Sequence, residues 1–189
     1  DSDEKEFFIS QTMDLSGRLF VGCREALYVY EPTADGGFKP RRELYRFPKD
    51  SWLYDLEVYG NDLFVLTNTA LYRMPDAVTR RNNLKPEKLL WGQPQGHFHQ
   101  GLHGMEFGPT GDLFLSMGDP QPHMHWDRSR PDHLWHWVFY VGPDNKEVPY
   151  TGVGAVFRYR LEDHSLTVHA SGLRNSCGIS FDPNWRLFA

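Results

Sequence analysis

The sequence predicts an all-β chain, a β-propeller of four-stranded antiparallel blades, and three observations predict it. One hairpin pattern recurs four times along the 189 residues. Further strands follow these hairpins at a steady offset. Thirteen Pro and 17 Gly punctuate the chain, and no stretch sustains the 3.6-residue period of a helix.

Each hairpin is an apolar strand, a polar turn, and a second strand opening on Leu-Phe. The four are Met13 to Phe20, Leu56 to Phe64, Met105 to Phe114 and Ile179 to Phe188. The third strand is Ala26-Leu27-Tyr28-Val29-Tyr30 in the first unit and Ala70-Leu71-Tyr72-Arg73-Met74 in the second. Ala155-Val156-Phe157-Arg158-Tyr159 takes that part in the third. Glu43 to Phe47, Lys88 to Trp91 and Ser165 to Ala170 read as fourth strands. The repeat length, 44 residues from Leu19 to Leu63 and 50 from Leu63 to Leu113, suits propeller blades. Blades are expected at 7–47, 53–92 and 103–171, with an incomplete fourth at 178–189. Three blades and a part cannot close a ring, so the sequence predicts a piece of a longer propeller, of six blades.

Composition excludes several classes. A net charge of −5 gives no basic footprint for nucleic acid. No apolar run approaches the length of a membrane-spanning helix. Cys23 and Cys177 are far apart and form no C-x-x-C pair. Both read as small buried hydrophobes.

Because strands in a blade alternate direction, the loop feeding the first strand and the loop joining the second to the third lie at one end. Chemistry-bearing residues concentrate in those loops. Gln93 to Gly104 holds His97, His99, Gln100 and His103, and Pro48 to Asp55 holds Lys49, Asp50, Trp52 and Tyr54. Gly172 to Gly178 holds Arg174 and Asn175. The third unit carries an insertion over 119–152, with His123, His125, His133, His136 and three Trp, where the other units use a short turn. An aromatic-rich loop of this length is expected to be ordered and functional, a rim or lid over the central pocket. The other end carries the tight hairpin turns.

Two segments resemble the soluble quinoprotein glucose dehydrogenases and sorbosone-dehydrogenase-like propellers. One is His99-Gln100-Gly101-Leu102-His103-Gly104-Met105-Glu106-Phe107-Gly108-Pro109-Thr110-Gly111-Asp112, running on to Gly118-Asp119. The other is Gly172-Leu173-Arg174-Asn175-Ser176-Cys177-Gly178-Ile179-Ser180-Phe181-Asp182-Pro183, with Ser176 where the family has Pro. The resemblance is nearest to membrane-associated propellers of planctomycete-type bacteria, which often carry a cytochrome c domain. It implies pyrroloquinoline quinone (PQQ) as cofactor, often with calcium, a sugar or alcohol substrate, a cytochrome c electron acceptor and a periplasmic or secreted location. It also implies a His base, for which His99 and His103 are both candidates, with Arg174, Asn175 and Gln100 contacting the quinone. The residue types suit those roles. Imidazole titrates near neutrality, and an Arg fork beside an Asn amide matches carboxylates and carbonyls.

Without a carboxylate or Cys at ligand spacing beside these histidines, no transition-metal site is expected. The structural alternative is that the histidines cap loop backbone, Asn175 serves a turn and Arg174 braces neighbouring blades. The runner-up function is a non-catalytic carbohydrate- or protein-binding propeller, since one fold hosts many functions. A calcium-dependent lactonase is disfavoured, because the loops at that end carry few acids, Asp50 and Asp55.

Overall fold

A computed structural model describes residues 7–68, 70–80, 82–91, 102–118, 139–141, 147–149, 154–173 and 176–189. Among them every regular element is a strand. The chain divides into two compact units, residues 1–67 with 72–87, and residues 68–71 with 88–189.

Strands β1 (Ser10–Met13), β2 (Leu19–Gly22), β3 (Ala26–Tyr30) and β4 (Arg42–Arg46) form an antiparallel sheet in chain order. A second sheet follows the same order through β5 (Leu53–Tyr59), β6 (Asp62–Thr67), β7 (Ala70–Met74) and β8 (Glu87–Trp91). Inside the first unit β1 packs against β5, so the first strands of successive sheets are neighbours. Their closeness is local chemistry. Ser10 Oγ donates to the Leu53 carbonyl at 2.7 Å, and Gly22 leaves the space that Ser10 Oγ and Leu53 fill. Phe20, Leu27, Val29, Leu53, Leu56, Leu63 and Val65 form the core there. Each such side chain contributes about 1.5–3 kcal/mol by leaving water.

In the second unit β9 (Leu102–Phe107), β10 (Leu113–Met117), β13 (Gly154–Tyr159) and β14 (Leu166–Leu173) are antiparallel neighbours in that order. The described part of the insertion, expected as a rim or lid over the central pocket, joins this sheet. β11 (Phe139–Val141) and β12 (Glu147–Pro149) form a hairpin that extends the sheet beyond β14, with β11 parallel to it. That is the edge opposite β9. An edge strand presents unpaired backbone groups, and pairing removes that liability. His123, His125, His133 and His136 lie outside the described residues.

The chain closes with a hairpin of β15 (Ser180–Phe181) and β16 (Leu187–Phe188). Its turn repeats the first hairpin's. Asp14 and Asp182 each donate a backbone N–H to the carbonyl of the Arg four residues on, at 3.1 and 3.0 Å. Each carboxylate also accepts that Arg's Nε at 2.7 Å. The fourth turn residue is left-handed, Gly17 at φ +80° and Trp185 at φ +61°. Glycine takes that conformation without a Cβ clash.

Candidate functional site

Register assembles the site in the second unit. Leu102 pairs with Met117, Met117 with Ala155, and Ala155 with Ser171. The start of β9 and the end of β14 therefore lie at one end of the sheet. The chain leaves β14 at Leu173 and by Gly178 is back against β9. A Cβ built on Gly104 would stand 3.0 Å from Gly178 Cα and 3.4 Å from the Ile179 nitrogen. In the hairpin repeat Gly104 and Gly178 occupy the same position of successive units, each three residues before the aligned Phe107 or Phe181. Arg174 and Asn175, between Leu173 and Gly178, lie outside the described residues, as do His99 and Gln100.

His103 is described, buried at 8% exposure. Leu102 faces Met117 and Gly104 faces Ser116, so His103 is the extra residue of a β-bulge. Bulges re-aim a side chain and recur beside active sites. Ser116, fully buried, supports the bulge. The Gly104 N–H donates to Ser116 Oγ at 3.0 Å, and the Ser116 hydroxyl donates to the Gly104 carbonyl at 3.4 Å.

The first unit carries a bulge at the same register position. Leu53 pairs with Thr67 and Asp55 with Leu66, leaving Tyr54 extra. Burial raises the Tyr54 phenol above its ordinary range. Tyr54 thus holds in its own sheet the place His103 holds in the other. The signal was in the sequence, where Leu53-Tyr54-Asp55-Leu56-Glu57 parallels Leu102-His103-Gly104-Met105-Glu106. At the same end of this unit Arg24 pairs with Asp50 and stacks over Trp52, 5.2 Å from the ring centroid.

One expectation for the Arg174 segment is corrected. Cys23 is buried, but Cys177 is exposed. The segment approaches β9 through the backbone of Gly178 and Ile179, while Cys177 is exposed. A Cβ built on Gly178 itself would meet nothing within 4 Å among the described residues.

The opposite, turn-bearing end of the second unit also has a polar cleft, of about 270 Å³. Asp112 there accepts Arg158 Nε at 2.7 Å, with Arg160 at 3.8 Å. Burial pushes the Asp112 carboxyl up, but the hydrogen bonds from Arg158 and Thr110 and the two guanidinium charges outweigh it and hold it below the carboxylate range. Its acidic and basic groups offset one another, so this cleft has no excess charge to attract an anion. Among the described residues no three His, Cys, Asp or Glu side chains converge as a metal site; calcium is therefore given no ligands here.

No protein-family model matches the chain and no curated protein matches it by sequence. Among solved structures the chain is similar to the holo PQQ domain of a pyranose dehydrogenase from Coprinopsis cinerea. That match has a TM-score of 0.64 and 14% identity, over 96% of this chain and 42% of that one. It is also similar to the PQQ-bound aldose sugar dehydrogenase of Streptomyces coelicolor, with a TM-score of 0.58 and 18% identity, over 97% and 58% of the two chains. A weaker match, at TM-score 0.47 and 15% identity, is a virginiamycin B lyase from Staphylococcus aureus, over 99% and 64%. The chain spans less than two thirds of each of these lengths. What the two stronger likenesses show is the fold, four-stranded antiparallel sheets in series, which is the blade pattern of propellers.

Proposed function

We propose that this chain is part of a PQQ-dependent dehydrogenase-like propeller that oxidises a sugar or another alcohol. The observation that carries the reading is the contact between Gly104 and Gly178. It sets the bulge bearing His103 against the segment that follows Arg174 and Asn175, with Gly178 74 residues after Gly104.

When bound, the quinone supplies the two-electron acceptor that no side chain offers. The protein's share is binding and proton transfer. In this reading the His103 imidazole, or that of His99, takes the proton of the substrate hydroxyl at a ring nitrogen. Burial of His103 keeps bulk water from competing for that nitrogen until substrate arrives. Arg174, Asn175 and Gln100 are assigned to the carboxylates and carbonyls of the cofactor, since a guanidinium fork and two amides supply matching donors. A periplasmic or secreted location and a cytochrome c acceptor belong to the same proposal. Both rest on the sequence resemblance.

The test adds PQQ, with and without calcium, to the protein and follows quinone binding and dye reduction with aldoses and simple alcohols. Binding and reduction are expected, with kcat reduced about 10²–10⁴-fold by alanine at whichever of His103 and His99 is the base. Absence of both binding and reduction would leave the non-catalytic binding propeller.

A further inference from the structure

We propose that Ser116 is a positioning residue, fixing the direction of the His103 side chain by locking the bulge that carries it; this rests on the reading of His103 as the base. A bulge takes one residue out of the ladder, and its neighbours must be held some other way or the strand can slip. Here a side chain holds them. Ser116 is completely buried in β10, and its hydroxyl both accepts from the Gly104 N–H at 3.0 Å and faces the Gly104 carbonyl at 3.4 Å. One hydroxyl thereby clamps both backbone groups of the residue directly after His103.

The clamp needs a glycine opposite it. A Cβ on Gly104 would lie 3.2 Å from Ser116 Oγ, inside comfortable contact, so Ser116 and Gly104 form one device. The bulge at Tyr54 is held differently. Leu66 stands at the register position of Ser116 and offers no hydrogen bond, while Asp55, at the position of Gly104, turns its own carboxylate to the Leu56 N–H at 2.9 Å. Two bulges at one register position thus use different polar groups.

Loss of a buried hydrogen bond of this kind is expected to change the occupancy of a side-chain direction by about 2- to 12-fold. The experiment compares wild-type protein with Ser116→Ala and Ser116→Thr by NMR and by steady-state kinetics. Ser116→Ala is expected to speed Gly104 amide exchange about tenfold, to move the His103 ring-proton shifts, and to lower kcat with KM within about twofold. Ser116→Thr, which keeps the hydroxyl, is expected to restore the exchange rate and the shifts. Unchanged Gly104 exchange and unchanged His103 shifts in Ser116→Ala would overturn the proposal. Should Ser116→Ala fail to fold, the wild-type exchange rate decides: a Gly104 amide as fast as an exposed loop amide overturns the clamp, and one protected like its ladder neighbours supports it. His103→Gln separates the two readings. If it turns over like wild type, the base assignment falls, while the clamp is still judged by exchange and shifts.

Discussion

Replacing Gly104 with alanine forces a methyl group into the closest contact of the site. The new Cβ would sit 3.0 Å from Gly178 Cα, 3.2 Å from Ser116 Oγ and 3.4 Å from the Ile179 nitrogen. Carbon atoms pack best at about 3.5–4.0 Å, so the segment at 178–179 must retreat by roughly half an ångström or more. The obstructing atoms of Gly178 and Ile179 are backbone, which cannot step aside by a rotamer change. Overpacking of this kind costs about 1–3 kcal/mol, and the Gly104–Ser116 hydrogen bonds would be strained in addition. For a chain of this size about 2 kcal/mol lowers Tm by about 4–8 °C. The control is Gly178→Ala, whose Cβ meets nothing within 4 Å among the described residues and should stay within about 0.5 kcal/mol of wild type. Urea denaturation of the three proteins, followed by tryptophan fluorescence, measures the difference. Equal midpoints for Gly104→Ala and Gly178→Ala would refute the packing on which the site is built.

Further outcomes follow from the turns and the buried ionisable groups. Gly17→Ala places a Cβ at φ +80° with only ordinary contacts to Pro32. Its cost of about 1 kcal/mol is therefore conformational and should appear in the denaturation midpoint. Asp14 and Asp112 are both held below the carboxylate range: burial works to raise them and is outweighed by hydrogen bonds, from Ser16 and Arg18 in one case and from Arg158 and Thr110 in the other. A depressed native value stabilises the fold above the unfolded value near about 4, and that contribution is lost as pH falls through the native value. Asp14→Asn and Asp112→Asn should thus flatten the acid limb of a stability–pH curve, measured by urea midpoints below about pH 4. Burial first, and then the Asp163 charge, pushes the Tyr159 phenol up to about 12. Its hydroxyl is 2.6 Å from His164 Nδ1. Here the neutral form is favoured by folding, so the stabilisation is present below about pH 10 and is lost as pH rises toward the native value. Tyr159→Phe should remove one late-titrating phenol from the ultraviolet titration and soften alkaline unfolding.

The antiparallel four-stranded sheets were legible because their signals are local. Leu-Phe openings such as Leu19-Phe20 and Leu113-Phe114 and turn residues such as Gly17 and Gly111 act within a few residues of one another. The pairing of β11 with β14 was not legible. A parallel match of Phe139 with Thr167 depends on contacts across the insertion, and no local pattern in the His- and Trp-rich segment announces it. The bulges were hidden for another reason: a register slip belongs to two strands together, so neither Tyr54 nor His103 is marked by its own strand alone. Comparing Leu-Tyr-Asp-Leu-Glu with Leu-His-Gly-Met-Glu would have paired them. Cys177 reads as a buried hydrophobe from its residue type alone, whereas the structure exposes it. Gly178, the next residue, makes the contact instead.

The account depends on β9 and the segment after Asn175 lying backbone to backbone. Nuclear Overhauser effects between the α-protons of Gly104 and those of Gly178 report that contact directly. A strong cross-peak is predicted, weakened in Gly104→Ala as the segment is displaced. No cross-peak in a folded, assigned spectrum of the wild-type chain would contradict the shared site.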